Sequence, residues 1–230
     1  SKFKEHKDNN FKRIVKGILR KHTEDMKTLV GISIGVVNQN DCKVFNYGYS
    51  NLDSKEPVNA DTIFEIGSIT KVFTAIISLL KEQEEKVNLE DPINKYFSDT
   101  IKVPMKTRKI RLIDLMTHTS GLPRIPDNMV DSEYKMSNPY KAYSLKKLYS
   151  FLKSHKLVRN SGEVFEYSNL GYGLLGQILE IQSGQTYETL LQEITIPLHM
   201  CDTKITLTDE QKSRFSNCHD EHKNSVDAWD

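Results

Sequence analysis

Apolar residues recur at helical spacing in "FKRIVKGILRKH" (11–22), where Phe11, Ile14, Val15, Ile18 and Leu19 are separated by lysines and arginines. That period predicts an amphipathic helix. Its basic flank suits either a membrane surface or a helix that covers a sheet and keeps its charges in water. The second use is the commoner one and is expected here. Two strand-like runs follow, Gly31–Val37 and Cys42–Tyr49, joined by "NQND". Turn chemistry between two such runs predicts a hairpin. A lone hairpin is marginal, so further strands or helices should cover it.

From Ser68 onward the pattern is mostly helical. Ile69, Val72, Phe73, Ile76, Ile77 and Leu80 form one apolar stripe in a helix predicted over Ser68–Glu84. The rest of that helix carries small residues (Thr74, Ala75, Ser78), and no charge stands between Lys71 and Lys81. A helix that is small or apolar all round is expected to be buried, with Lys71 buried or opening into a cleft. Further helices are predicted over Lys109–His118, Leu145–His155, Asn169–Gln182 and Glu188–Ile194. Ser183-Gly184 and Pro197 stop the last two. Residues 123–142 hold three prolines and read as an irregular excursion. The polar end, "NCHDEHKNSVDAWD", reads as a surface loop.

Composition narrows the classes. The chain has 230 residues, enough for a substantial core, with 37% hydrophobic and 27% charged residues. Its 32 basic and 31 acidic side chains leave a net charge of +1, so no nucleic-acid partner is expected. No uncharged run reaches the roughly 18 residues a membrane span needs, and "SKFKEHKDNN" has no apolar segment of the signal-peptide kind. The cysteines, Cys42, Cys201 and Cys218, form no C-x-x-C pair. Three reduced thiols are expected rather than one bridge and a free thiol.

The chemistry centres on "FEIGSITKVFTA" (64–75). Ser68 and Lys71 are three helical residues apart and so share a face. A lysine held out of water loses affinity for its proton and can act as a base. Gly67 lets the backbone approach closely, and a first-turn serine lies where free N–H groups favour developing negative charge. Hydroxyl, adjacent base and electrophilic surroundings are the parts of an activated nucleophile. The plainer alternative is a capping serine beside a solvated lysine. Tyr167 and Asn169, two residues apart in an extended segment, can point to one side. The phenol could relay a proton, and the amide could bond both a lysine and a substrate carbonyl. Alternatively they are a buried tyrosine and a capping asparagine.

Three blocks in order, "FEIGSITKVFTA", "LIDLMTHTSGLP" (112–123) and "GEVFEYSNLGYGLLGQILE" (162–180), resemble the serine β-lactamase and penicillin-binding protein superfamily. They look most like its class C β-lactamase branch, with its related esterases, D-amino-acid peptidases and mitochondrial β-lactamase-like serine proteins. The resemblance implies an α/β (α+β) β-lactamase/transpeptidase-like fold, an antiparallel sheet flanked by helices plus a mainly helical domain. It divides the chain into 1–65 (helix and hairpin), 66–215 (helical) and 216–230 (return to the sheet), with the site in the cleft between domains.

By the same resemblance Ser68 would be the acylated nucleophile, Lys71 and Tyr167 its catalytic partners, and Asn169 a substrate-binding residue. Whether Tyr167 or Lys71 is the base stays open. The Ser68 N–H would supply one oxyanion donor. The family's third motif, Lys-Thr-Gly or a His-x-Gly variant, has no counterpart after Tyr167, so the C-terminal strands that carry it are expected to be absent from these residues. The implied activity is serine acyl hydrolysis of a small-molecule or peptide substrate: a β-lactam, a D-amino-acid peptide or an ester. The alternative is a catalytically silent binder of penicillin or cell-wall peptide, or a structural protein on this scaffold. No metal or cofactor is implied. The expected location is periplasmic, extracellular or cell-envelope, and membrane contact is not favoured.

Other patterns carry less. Gly171, Gly173 and Gly176 fit G-x-G-x-x-G, but helix packing explains them better than a dinucleotide. Cys218, His219 and His222 match no zinc spacing. His118, two residues before Ser120, is expected to brace a loop, because no G-x-S-x-G elbow exists.

Overall fold

The structure is a computed structural model. It describes residues 2–25, 29–39, 41–130, 133–135, 138–220, 222–226 and 228–229, without the side chains of 2–9 and 25. Asn40 of the "NQND" turn lies outside the described residues. In chain order the elements are α1 (Lys2–Arg20), β1 (Gly31–Asn38), β2 (Asp41–Asn51), β3 (Glu56–Pro57), α2 (Thr70–Gln83), α3 (Leu112–Met116), α4 (Leu145–Ser154), α5 (Asn169–Ser183), α6 (Tyr187–Thr195), α7 (Asp209–Ser213), β4 (Cys218–His219) and β5 (Ser225–Val226). They fall into two compact units, Ser1–Glu65 with Leu207–Ala228, and Ile66–Thr206 with Trp229–Asp230.

The first unit is built on the β1–β2 hairpin, antiparallel from Gly31↔Gly48 to Asn38↔Asp41. Gly48 has φ +79°, and a Cβ there would stand 2.3 Å from the Val30 carbonyl oxygen, so the position admits only glycine. β3 extends the sheet beyond the two strands that the alternation predicts. α1 covers β2: Leu19 and Phe45 are buried, and Phe11 meets Phe45 edge-on at 5.7 Å. The covering role holds for that part of the stripe only, because Ile14 and Ile18 remain exposed.

Three further elements escaped the periodicity argument. α7 is closed by a capping box, with Thr208 Oγ1 accepting from the Gln211 N–H and Gln211 Oε1 accepting from the Thr208 N–H. The polar end is not only a loop, since β4 and β5 pair through Cys218↔Val226 and His219↔Ser225.

The second unit is helical. α5 runs through its centre, with Leu174, Leu175, Ile178 and Leu179 buried against Ile77, Leu112, Leu115, Leu122 and Leu190. Its boundaries follow local chemistry: Ser168 caps the start, and Gly184 at φ +68° ends it in the left-handed conformation. Of its glycines only Gly171 is tightly packed, where a Cβ would meet Ser168 Oγ at 3.2 Å. Gly173 faces open space, so the packing account of all three glycines is corrected. The helix expected over Lys109–His118 shortens to α3, because His118 has φ +59° and turns the chain.

α2 departs most from expectation. Its small face is the buried one: Thr74 and Ser78 are buried, and Thr74 Oγ1 lies 2.6 Å from the Tyr187 hydroxyl. Small side chains let this helix approach α5 and α6 closely. Phe73, Ile77 and Leu80 join the core, whereas Ile69, Val72 and Ile76 are exposed. The apolar stripe is therefore split, and α2 is not buried all round. Lys81 is itself 8% exposed and pairs with Glu193 at 2.6 Å and Glu84 at 3.1 Å.

Candidate active site

Every candidate side chain belongs to the helical unit. A short 3₁₀ turn, Gly67–Ile69, leads into α2, and Gly67 adopts φ +51°. Nothing lies within 4 Å of where its Cβ would be. The glycine is thus demanded by backbone conformation rather than by crowding. This turn presents Ser68 at the surface and Lys71 one turn later, half-buried. No side chain caps either helical segment, so Ser68 is not the capping serine of the plainer alternative.

Ser68 Oγ instead accepts from Lys71 Nζ at 3.2 Å and from the Tyr167 hydroxyl at 2.8 Å. The Lys71 ammonium also lies 4.9 Å from the centre of the Tyr167 ring and 5.8 Å from that of Tyr172. Two side chains from distant segments thereby converge on the Ser68 oxygen.

Ser168 explains how Tyr167 is aimed. It is fully buried. Its Oγ accepts from the Gly171 N–H at 2.8 Å and donates to the Pro123 carbonyl at 2.7 Å. Its N–H donates to His118 Nδ1 at 3.0 Å. The serine between the two motif residues is therefore the cap, not Asn169. Alternation then leaves Tyr167 facing Ser68 while Ser168 points into the core.

Asn169 is the first residue of α5, and its side chain turns toward the 123–142 segment. Nδ2 donates to the Tyr140 hydroxyl at 3.0 Å, and Oδ1 is buried with no partner among the described residues. Its backbone N–H donates to the Arg124 carbonyl at 3.0 Å. Tyr140 and Arg124 were missed by the motif argument. Arg124 directly follows the "HTSGLP" block, which is the one local signal that could have found it.

Burial pushes the Tyr167 phenol up, but its polar contacts with Lys71 and Ser68 and the charges of Lys71 and Arg124 outweigh it and hold the phenol below its usual pKa. The Arg124 guanidinium lies 5.1 Å from the centre of the Tyr167 ring. Burial, with Lys71 nearby, holds His118 below the ordinary histidine value. Among the described residues no group of His, Cys, Asp and Glu could hold a metal ion, Cys218, His219 and His222 included. Cys42, Cys201 and Cys218 form no disulfide among the described residues. Burial and Glu65 push the Cys218 thiol up to about 11, so little of it is thiolate near neutral pH.

A family model described as Beta-lactamase matches residues 17–230. The chain belongs to the β-lactamase family. It is 30% identical over 194 residues to a β-lactamase of Pseudomonas fluorescens, covering 84% of this chain and 50% of that protein. Protein flp of Staphylococcus aureus strain N315 is 32% identical over 186 residues, 79% of this chain and 36% of that protein.

Among solved structures, the β-lactamase/D-alanine carboxypeptidase of Yersinia pestis complexed with citrate superposes with a TM-score of 0.79 at 28% identity, over 90% of this chain and 59% of that one. A class C β-lactamase gives 0.81 at 22% identity, over 96% and 58%. The fold is therefore the α/β β-lactamase-like one. The chain spans about half the length of the curated relatives it matches. No described helix is long and apolar enough to cross a membrane.

Proposed function

We propose that the protein is a serine acyl hydrolase, with Ser68 as nucleophile and Lys71 and Tyr167 as its proton-handling partners. One observation carries this reading: Ser68 Oγ is free of capping duty and lies within hydrogen-bond reach of both an ammonium and a phenol. In the resting arrangement both partners donate to Oγ. Loss of one proton from the pair reverses one of those bonds and leaves a base aimed at the Ser68 hydroxyl proton. Oγ then attacks an amide, lactam or ester carbonyl, the C–O bond forms, and the carbonyl oxygen takes the negative charge. Ser68 lies where a helical turn begins, so its own N–H is one donor for that oxyanion. The proton held by the base passes to the leaving nitrogen or oxygen, and water later releases the acyl group.

The substrate is a small molecule or peptide with a reactive carbonyl. β-Lactams, D-amino-acid peptides and esters share this acyl-enzyme route, and the similarity to β-lactamases and to a β-lactamase/D-alanine carboxypeptidase supports the first two. By the same family reasoning the protein works in the periplasm, at the cell envelope or outside the cell.

The test is mass spectrometry after incubation with a fluorophosphonate and, separately, with a penicillin. The fluorophosphonate is expected to leave an adduct on Ser68 that Ser68→Ala abolishes. A penicillin adduct that decays with release of opened lactam marks a hydrolase, and one that persists marks a penicillin-binding role. No adduct at Ser68 from either reagent would sink the reading.

A further inference from the structure

His118 lies outside the Ser68, Lys71 and Tyr167 trio, yet it touches the tyrosine segment on every side. Its carbonyl accepts from the Glu166 N–H at 2.7 Å, and its Nδ1 accepts from the Ser168 N–H at 3.0 Å. The peptide groups on both flanks of Tyr167 are therefore tied to one residue. The imidazole also packs against two phenol rings. Its centre is 4.5 Å from that of Tyr167, tilted by 31°, and 4.9 Å from that of Tyr172, tilted by 38°. Tyr172 is itself fixed, its hydroxyl donating to the Met116 carbonyl at 2.8 Å, and Phe165 meets the imidazole edge-on at 5.7 Å. His118 holds this place at φ +59°, a conformation that side chains other than Asn, Asp and His rarely adopt.

The hydrogen bond fixes the proton inventory. A backbone N–H can only donate, so Nδ1 must be bare and the proton of the neutral ring sits on Nε2. The charged and titratable groups around the ring are the Lys71 ammonium from α2, the Tyr167 and Tyr172 hydroxyls from the segment leading into and within α5, and Arg124, whose guanidinium lies against Tyr167. Glu166, the nearest carboxylate in the segment, is engaged by Arg159. The surroundings are thus cationic or neutral, and a second positive charge beside Lys71 is disfavoured.

We propose that His118 is a positioning residue for Tyr167: neutral and accepting at Nδ1, it clamps the 166–168 segment so that the phenol stays on Ser68 Oγ, and protonation opens the clamp. Protonated Nδ1 would present N–H to N–H, so the Ser168 bond must break and the segment must shift. A displacement of about 1 Å at a reacting group can cost about 100-fold in rate. The inference rests on the proposed role of Tyr167, so its test has one arm that needs no activity.

The first arm follows the rate of Ser68 labelling by a fluorophosphonate from about pH 8 down to about pH 5, across the histidine range. Wild type is expected to lose labelling on an acid limb lying below the ordinary histidine pKa. His118→Asn keeps an acceptor oxygen near the place of Nδ1 and tolerates positive φ. It should retain the rate near pH 8 within about fivefold and show only the gradual fall set by Tyr167 ionisation, without the additional drop in the histidine range, since an amide does not titrate. His118→Phe keeps a ring but no acceptor and should label about 100-fold more slowly than wild type near pH 8, the two rates converging at the acid end.

The second arm is long-range ¹⁵N NMR of the full chain. It should find His118 with bare Nδ1 and protonated Nε2 near neutral pH, and the Ser168 amide and Tyr167 ring signals should move together with the histidine titration. A proton on Nδ1 at neutral pH, Ser168 and Tyr167 signals that ignore the titration, or an unchanged acid limb in His118→Asn would each overturn the proposal. Absence of any Ser68 labelling in wild type would count against the acyl-hydrolase reading, and the NMR arm would still decide this one.

Discussion

Tyr167 shares its hydroxyl contact with Ser68 and lies beside two cations, Lys71 and Arg124. Because its pKa is held below the usual phenol value, the deprotonated, proton-accepting form becomes populated as pH rises toward a value under 10. Fluorophosphonate labelling of Ser68 should therefore climb with pH through that region. Tyr167→Phe keeps the ring against His118 and removes only the oxygen. It should lower the labelling rate by about 100-fold or more and flatten the alkaline rise. A variant that labels like wild type with the same alkaline profile would move the base assignment to Lys71. The trio was legible in the sequence because two of its members share one helical turn and the third precedes a capped helix. The turning of Asn169 to Tyr140 was not legible, since a contact between residues 29 apart, reaching past α4 to an irregular segment, leaves no periodic trace.

At the scale of elements, the short α3 depends on a buried carboxylate. Asp114 is 2% exposed, accepts from both terminal nitrogens of Arg108 at 2.9 Å, and accepts the Arg111 N–H at 2.8 Å. Burial raises its carboxyl, but Arg108 and the Arg111 contacts outweigh it and the group is held below the usual carboxylate range. Gly162 is fitted to the same cluster, where a Cβ would stand 2.1 Å from an Arg108 nitrogen.

Asp114→Asn should destabilise the protein by about 3 kcal/mol, the low end for a broken buried pair, because Arg108 can still reach water. The midpoint of urea unfolding near neutral pH measures it. The unfolded chain takes up this proton first as pH falls, so the stabilisation is full above the ordinary aspartate pKa of about 4 and fades below it. The gap between wild type and variant should close over that range. Boundaries of elements with local stop signals, such as α5 before Gly184, were readable in advance. α7 and the β4–β5 pair were not: α7 is one turn fixed by its cap, and the strands are two residues each, below any period that alternation could reveal.

For the molecule as a whole, the decisive surprise is which way α2 faces. A stripe rule assigns the apolar side to the core. Here the polar but small side is inside, because Thr74 and Ser78 allow a close approach and bond to Tyr187 and to the helix's own carbonyls. The buried face thus mixes the small polar Thr74 and Ser78 with Ile77 and Lys81, so polarity alone did not decide it. Ile69 and Val72 are left 59% and 57% exposed, and Ile76 and Leu79 lie farther along the same helix at 37% and 48%. An exposed apolar row of this kind promotes dye binding and self-association.

Ile76→Lys combined with Leu79→Lys should reduce both, read by 8-anilinonaphthalene-1-sulfonate fluorescence and by sedimentation velocity. Exposed substitutions away from a packed contact stay within about 0.5 kcal/mol, so the thermal midpoint of the 230-residue chain should hardly change. If the row were packed against other protein in this chain, two buried ammonium groups would instead cost several kcal/mol and the double variant would unfold. The same measurement thus separates an open face from a covered one. It leaves the Ser68 cluster untouched, because both substitutions lie beyond the turn that carries Lys71.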